Sequence, residues 1–251
     1  MQNNASCLDI QDLSVSYADG KEAIFNRLTL ELIVGRWNCV LGKSGSGKTT
    51  LLKYLAGLLP AESEVSGGCS QQAAEYISDN IAYMAQQDLL LPWLNVLDNV
   101  CLSSRIHKRN DKANIEKAKH LLNAVGLSKV IEHKPQQLSG GMRQRVALAR
   151  TLIQEKSVVL MDEPFSALDA VTRYELQGLS HQLLADKTVV LITHDPAEAC
   201  RLADRIYLLE DSAEQISQLA VPATQSPREL DQSTAELQSQ IFTRLGAIHY
   251  V

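Results

Sequence analysis

Residues 37–59 read WNCVLGKSGSGKTTLLKYLAGLL, an apolar run, a glycine-rich loop and a helical pattern in direct succession. WNCVLG (37–42) has the look of a short buried strand, and TTLLKYLAGLL (49–59) keeps apolar residues at helical spacing until Pro60. Across the junction, GKSGSGKTT (42–50) holds three glycines, two lysines and four hydroxyl side chains, a composition no hydrophobic core requires. It fits G-x-x-x-x-G-K-[ST] through Gly42, Gly47, Lys48 and Thr49, with the strand before and helix after that give the pattern meaning. Glycines let backbone N–H groups converge on an anion with no Cβ in the way, and a helix starting near Gly47 adds its positive end. Lys48 supplies a mobile charge for β- and γ-phosphates, and the Thr49 hydroxyl suits Mg²⁺. Gly42, Lys43, Ser44, Gly45, Ser46, Gly47, Lys48, Thr49 and Thr50 are thus candidate contacts to a nucleoside triphosphate. The competing reading is a Gly/Ser turn that matches by chance.

The rest of the chain sets bounds. Its 251 residues are 45% hydrophobic and 21% charged, an ordinary globular composition. Lys and Arg total 24 against 29 Asp and Glu, a net charge of −5 that weighs against nucleic acid as the partner. The five cysteines (Cys7, Cys39, Cys69, Cys101, Cys200) are scattered without a CxxC pair, the pattern of reduced thiols in a cytosolic protein. MQNNASCLDIQDL lacks the apolar stretch of a signal peptide, and no run approaches the ~20 residues of a membrane helix. Work at a membrane is therefore expected to go through another subunit.

LDIQDLSVSY (8–17) and LTLELIV (28–34) alternate as half-buried antiparallel strands do, AESEVSGGCSQQ reads as loop or turn, and IAYMAQ (81–86) as a buried strand. From 93 to about 154 the pattern is helical. SVVLMDE (157–163) is a continuous apolar run ending in two acids, followed by helix (170–184), strand (188–193), helix (196–203) and strand (205–209). That alternation predicts an α/β fold with a mainly parallel sheet. Beyond about 213 the chain is polar, with weak periodicity.

Two further stretches carry chemistry. In VVLMDE, Asp162 at a strand's C-terminal end can join a Mg²⁺ shell, and Glu163 can orient and deprotonate a water; taken alone, it is also how many strands end. LSGGMRQR (138–145) is a second glycine-containing entry to a helix, suited to an anion through Ser139, Gly140 and Gly141, or else a plain Ser N-cap before an Arg-bearing helix.

Together these motifs resemble the nucleotide-binding subunit of ABC transporters, over about residues 8–210. GKSGSGKT is similar to the Walker A loop, LSGGM to the ABC signature, VVLMDE to Walker B and SALD (166–169) to the D-loop. Gln86 in YMAQQD matches the Q-loop glutamine and His194 in LITHD the switch histidine. The resemblance implies a P-loop NTPase domain over 1–212 with an N-terminal antiparallel β subdomain and a helical signature subdomain over about 88–155. It leaves 213–251 as an extension of unknown role. It implies ATP and Mg²⁺ as cofactors, with Thr49, Gln86 and Asp162 toward the metal, Glu163, Gln86 and His194 catalytic, and Tyr17 stacked on adenine. A head-to-tail homodimer would close Ser139, Gly140 and Gly141 of one copy over the ATP of the other, with Asp169 at the interface.

LLLPWLNVLDNV (89–100) directly follows the YMAQQD that carries Gln86. It is either an apolar helix start in the core or a groove for a permease coupling helix near Leu91, Pro92 and Trp93. With LSGGMRQR and ALDAVTR it resembles the nitrate, sulfonate and taurine importers and the related importers of thiamine pyrimidine precursors. The expected setting is the cytoplasmic face of the membrane, with permease subunits and, indirectly, an extracytoplasmic solute-binding protein. Departures from the family pattern are Met142 in the signature, the missing proline before VVLMDE, and VSGGCSQQAAE, which leaves one antiparallel edge uncertain. The alternatives are a soluble, non-transport ABC ATPase, a small-molecule P-loop kinase, which leaves LSGGM and SALD unexplained, and a non-enzymatic module, which leaves Glu163 unexplained.

Overall fold

The computed structural model describes residues 7–17, 23–107, 112–209 and 216–246; the boundary read at 212/213 falls outside them. At the centre lies a six-stranded sheet built from β3 (Trp37–Gly42), β5 (Ile81–Met84), β6 (Val158–Asp162), β7 (Thr188–Thr193), β8 (Arg205–Leu209) and β9 (Ile216–Leu219). Their order is β5-β6-β7-β3-β8-β9, parallel throughout except for the last pair. β3, β6 and β7 are buried along their whole length, which is why they read as unbroken apolar runs rather than as alternations.

Successive side chains on these strands go to opposite faces. Cys39, Leu41, Val159, Met161, Val189 and Leu191 enter a core with the helices α3 (Val96–Val100), α5 (Lys112–Ala124), α6 (Gly140–Leu152), α7 (Ala170–Leu183) and α8 (Pro196–Leu202). Val40, Val158, Leu160, Val190 and Ile192 enter a second core with α1 (Lys48–Leu55), α2 (Gln71–Asn80) and a three-stranded antiparallel sheet. That sheet runs β2-β1-β4, from β1 (Cys7–Ser16), β2 (Phe25–Ile33) and β4 (Glu64–Cys69). A short helix, α4 (Leu102–Ile106), follows α3 after a break at Cys101.

Two expectations are corrected. AESEVSGGCSQQ is not a plain loop: Glu64–Cys69 pairs antiparallel with β1, which completes the edge that VSGGCSQQAAE left open, and α2 follows. β4 is exposed over most of its length, so it lacks the alternation that marks a half-buried strand. Its Gly67, at φ 69°, presses so close to β1 that a Cβ would lie 2.2 Å from the Asp12 carbonyl oxygen. The polar segment after 213, with only weak periodicity, supplies β9 and α9 (Gln232–Arg244); Leu219, Leu237 and Ile241 join the first core. Cys39, Cys101 and Cys200 are buried and, with Cys69, unbridged.

Candidate nucleotide site

Register brings the motifs together. Leu41 lies opposite Thr193, Asp162 opposite Ile192 and Met84 opposite Met161, so four parallel strands end at one rim. The segments just past those ends are the glycine loop after Gly42, Glu163, His194 and, two residues beyond Met84, Gln86. This is the edge at which parallel α/β sheets receive ligands.

Within the loop, Gly47 sits at φ 92° as the residue before α1, and a Cβ there would lie 2.8 Å from the Phe25 ring, so only glycine fits. Lys48 is buried, with Nζ donating to the carbonyl oxygens of Gly42 at 2.7 Å and Lys43 at 2.6 Å. Burial draws its pKa below that of an ordinary lysine, against the opposing pull of the Glu163 and Asp162 carboxylates. Ser46 Oγ is buried without a partner, an orphaned hydroxyl that a phosphate oxygen would satisfy. The loop therefore fits a phosphate chain. Tyr17 Oη lies 3.2 Å from Thr50 Oγ1, so the phenol reaches the helix end of the loop.

Thr49 Oγ1 donates to Asp162 Oδ2 at 2.8 Å. Burial raises the Asp162 pKa and the Thr49 hydrogen bond partly offsets it. A hydroxyl and a carboxylate oxygen converging beside a phosphate cradle are the hard donors Mg²⁺ takes, along with phosphate oxygens. Among the described residues no cluster of three His, Cys, Asp or Glu could hold a metal by itself.

Glu163 is the hub. Gln86 Nε2 donates to its Oε2 at 3.2 Å, and His194 Nδ1 lies 2.9 Å from its Oε1. Its backbone sits at φ 48°, a left-handed conformation that costs a glutamate on the order of 1–3 kcal/mol and persists only when its surroundings enforce it. Four bonds hold it: Glu163 N–H donates to the Ile192 carbonyl at 2.9 Å, and the Glu163 carbonyl accepts from Ser166 Oγ at 3.0 Å, Gln144 Nε2 at 3.2 Å and Ser166 N–H at 3.3 Å. A carboxylate so held, between an amide and an imidazole and next to a phosphate loop, can accept a proton from an attacking water.

Ser139, Gly140 and Gly141 stand differently. Ser139 Oγ caps α6 by accepting from Met142 N–H at 3.3 Å, and a Cβ on Gly141 would lie 3.3 Å from the Ala167 carbonyl oxygen. They are seated on α6 and against SALD rather than bonded to the phosphate loop. Asp169 caps α7 through Thr172 N–H at 3.0 Å, which holds its carboxyl below the usual range.

Sequence reasoning missed the residues that brace the site: Gln144, Arg143 and Arg150 on α6, and Arg173 and Asp195 beside SALD and His194. Arg143 Nε donates to Asp88 Oδ2 at 2.9 Å, while Arg150 donates to the carbonyls of Leu89 at 2.8 Å and Asp88 at 2.5 Å. Their spacing of seven residues on one helix was the available signal. The arginines pin the chain just beyond Gln86, and the buried Asn99 pins it further on, accepting from Leu91 N–H at 2.8 Å and donating to the carbonyls of Leu91, Leu94 and Asn95. On this braced turn Leu90 is buried, Leu91 half-buried, Pro92 exposed and Trp93 67% exposed. Trp93 is thus a surface residue and not part of a core helix start.

The comparisons with known proteins agree with this geometry. The family model described as ABC transporter matches residues 25–166, more than half of the chain. An uncharacterized ABC transporter ATP-binding protein of Haemophilus influenzae is 44% identical over 242 residues, spanning 94% of this chain and 98% of that one. The aliphatic sulfonates import ATP-binding protein SsuB of Escherichia coli is 38% identical over 246 residues, spanning 97% and 92%. Among solved structures, the dimeric, post-hydrolysis ATP-binding cassette MJ0796 bound to ADP and Pi superposes with a TM-score of 0.71 at 31% identity, covering 85% of this chain and 99% of that one. With its phosphate loop, its Walker B acids and the glutamine and histidine that flank them on one rim, the chain belongs to the ABC transporter family, as an ATP-binding, ATPase subunit of the importer group that includes the sulfonate importers.

Proposed function

We propose that this subunit works as a homodimer on the cytoplasmic face of a membrane, docked to permease subunits, and that its ATP hydrolysis powers import of a small sulfonate-like anion handed over by an extracytoplasmic binding protein. The single observation that carries the catalytic part is the suspension of Glu163 between Gln86 and His194. On this reading Lys48, the loop N–H groups and Ser46 grip the phosphates, and Tyr17 stacks on the base. Thr49, Asp162 and Gln86 would hold Mg²⁺, which when bound offsets charge on the transferring phosphate. Glu163 takes the proton of the attacking water, and His194 holds the Glu163 carboxylate in place and meets the γ-phosphate. Ser139, Gly140 and Gly141 of a second copy complete the cradle, since a capped helix start with exposed N–H groups suits an anion.

Among nitrate, sulfonate, taurine and pyrimidine-precursor cargoes, the name of the Escherichia coli relative favours the sulfonate class. No helix among the described residues is long and apolar enough to cross a membrane, and the exposed Trp93 turn offers a docking point for a permease. Replacing Glu163 by Gln is expected to keep ATP binding and lower turnover about 1,000-fold; near-normal turnover would remove Glu163 from the role of base. For the cargo, turnover of the subunit reconstituted with its permease should rise with binding protein loaded with an aliphatic sulfonate. A rise with nitrate alone would reassign it.

A further inference from the structure

The turn carrying His194 is tied to the end of the SALD segment through the Arg173 side chain. Arg173 lies on α7 one turn beyond Asp169, and its guanidinium points back along the helix: Nη2 donates to the Leu168 carbonyl at 3.0 Å and Nη1 to Asp195 Oδ2 at 3.3 Å. Asp195 follows His194 directly and caps α8, with Oδ1 accepting from Ala197 N–H at 2.9 Å. Its own N–H donates to Thr193 Oγ1 at 3.0 Å, and that hydroxyl donates to the buried Glu198 Oε2 at 2.5 Å. The far side of the same turn is His194, 2.9 Å from Glu163. Leu168, Arg173, Asp195 and His194 therefore form an unbroken path from SALD to the Glu163 carboxylate.

The position of this path in the molecule is equally specific. Arg173, Asp195 and Glu198 line a small cavity of about 40 Å³ beside Glu163 and His194. The same three line a cleft of about 310 Å³ between α7, α8 and the C-terminal segment around Arg228 and Leu230. They are the common wall between the site and that cleft. The Arg173–Asp195 pair is about one-third exposed, 33% and 31% for the two side chains, a setting in which an ion pair adds little to fold stability. What a planar guanidinium does well there is hold a carbonyl and a carboxylate at once, in a fixed relative geometry.

We propose that Arg173 is a positioning residue for ATP hydrolysis: acting through Asp195, it fixes the turn of His194 relative to the SALD segment and so keeps the imidazole on Glu163. The proposal rests on the reading of Glu163 as base and His194 as its companion, and extends it to a residue that touches neither ATP nor water. A shift of about 1 Å in a group that organises catalysis can cost up to ~100-fold in rate, so the expected effect is on turnover.

The test compares R173A, R173K and D195N in the full chain, with E163Q alongside. Asn in place of Asp195 keeps the oxygen that caps α8 but presents an NH₂ group to the guanidinium. R173A and D195N should each lower kcat about tenfold with KM for ATP within about twofold of wild type and the thermal midpoint within about 2 °C. R173K, able to hold one partner but not both, should fall between, and the R173A/D195N double variant should be no slower than the slower single one. Should R173A fail to fold, D195N and R173K carry the same comparison. Wild-type kcat in stably folded D195N and R173K, a loss confined to KM, or fully multiplicative effects in the double variant would each overturn the proposal. An active E163Q would remove the underlying reading of the base; an inert E163Q beside fully active Arg173 and Asp195 variants would remove the positioning role alone.

Discussion

At Glu163 the backbone adopts φ 48°, held by the nearby Ser166 and by β7 and α6, the last two far apart in sequence. Glu163 was legible from its place after an apolar run, and Gln86 and His194 beside it from the resemblance; its backbone strain and the bonds that hold it were not, because they depend on which elements lie side by side. Lys48 was equally legible, and the loop curls around its ammonium through the Gly42 and Lys43 carbonyls. Lys48→Ala is expected to weaken ATP binding and to lower turnover by about 100-fold or more, measured by nucleotide titration and steady-state ATPase assays. Glu198 gave no sign of itself in sequence. Burial pushes its carboxyl up to about 8, the Thr193 hydroxyl opposes this, and Asp195 adds to it. A folded pKa above the unfolded value near 4.5 means that the native state holds a proton the unfolded chain has lost. The contribution of Glu198 to stability is thus fully present below pH ~4.5 and is lost as pH rises toward about 8, by at most ~1.4 kcal/mol per pH unit. Glu198→Gln should remove that slope, so that the denaturant midpoint of wild type falls relative to that of the variant between pH 5 and 8. Parallel curves would show that Glu198 is ionised throughout.

Helix α6 shows how one element can serve two places. Its first turn carries Ser139, Gly140 and Gly141, while Arg143 and Arg150 along its length clamp the chain at Asp88 and Leu89. A tilt of α6 would therefore move the Leu91–Trp93 turn with it, which is the mechanical link the proposed permease contact requires. Trp93→Ala should reduce co-purification with the permease by roughly 30-fold in affinity, the loss typical of a well-placed aromatic anchor, and leave ATP binding and thermal stability within error. Loss of nucleotide affinity with normal assembly would speak against Trp93 as a docking residue. The elements that could be read in advance were strands buried on both faces or with clean alternation (β1, β2, β3, β5, β6, β7 and β8) and helices with a sustained stripe (α1, α5, α6, α7 and α8). β4 escaped because solvent covers it, and β9 and α9 because their few core residues, Leu219, Leu237 and Ile241, are too sparse to set a period. α3 and α4 were read as one helical stretch; the chain breaks it at Cys101, where no proline or glycine announces the change.

In the whole molecule, two places are suited to phosphate on the proposed reading: the loop after β3 and the start of α6. If a second copy supplies the latter, specific ATPase activity should climb with protein concentration and saturate as dimers form, measured alongside sedimentation. Constant turnover by a chain shown to be monomeric would exclude the shared site. The C-terminal segment, hard to read as sequence, joins the same sheet and core: β9 extends the central sheet, α9 packs on α8, and a Cβ added at Gly246 would lie 3.8 Å from the Lys43 ammonium. The middle of the sheet has a consequence for how such a chain is made. β3, whose end opens into the phosphate loop, pairs with β7 and β8, strands that begin at residues 188 and 205. On the ribosome β3 and the loop emerge early, but β3 has neither strand partner until some 150 residues more have been translated, and closures of that span are slow. The nascent protein thus passes most of its synthesis with an exposed apolar strand at its centre, a natural client for chaperones, and acquires its grip on nucleotide only near the end.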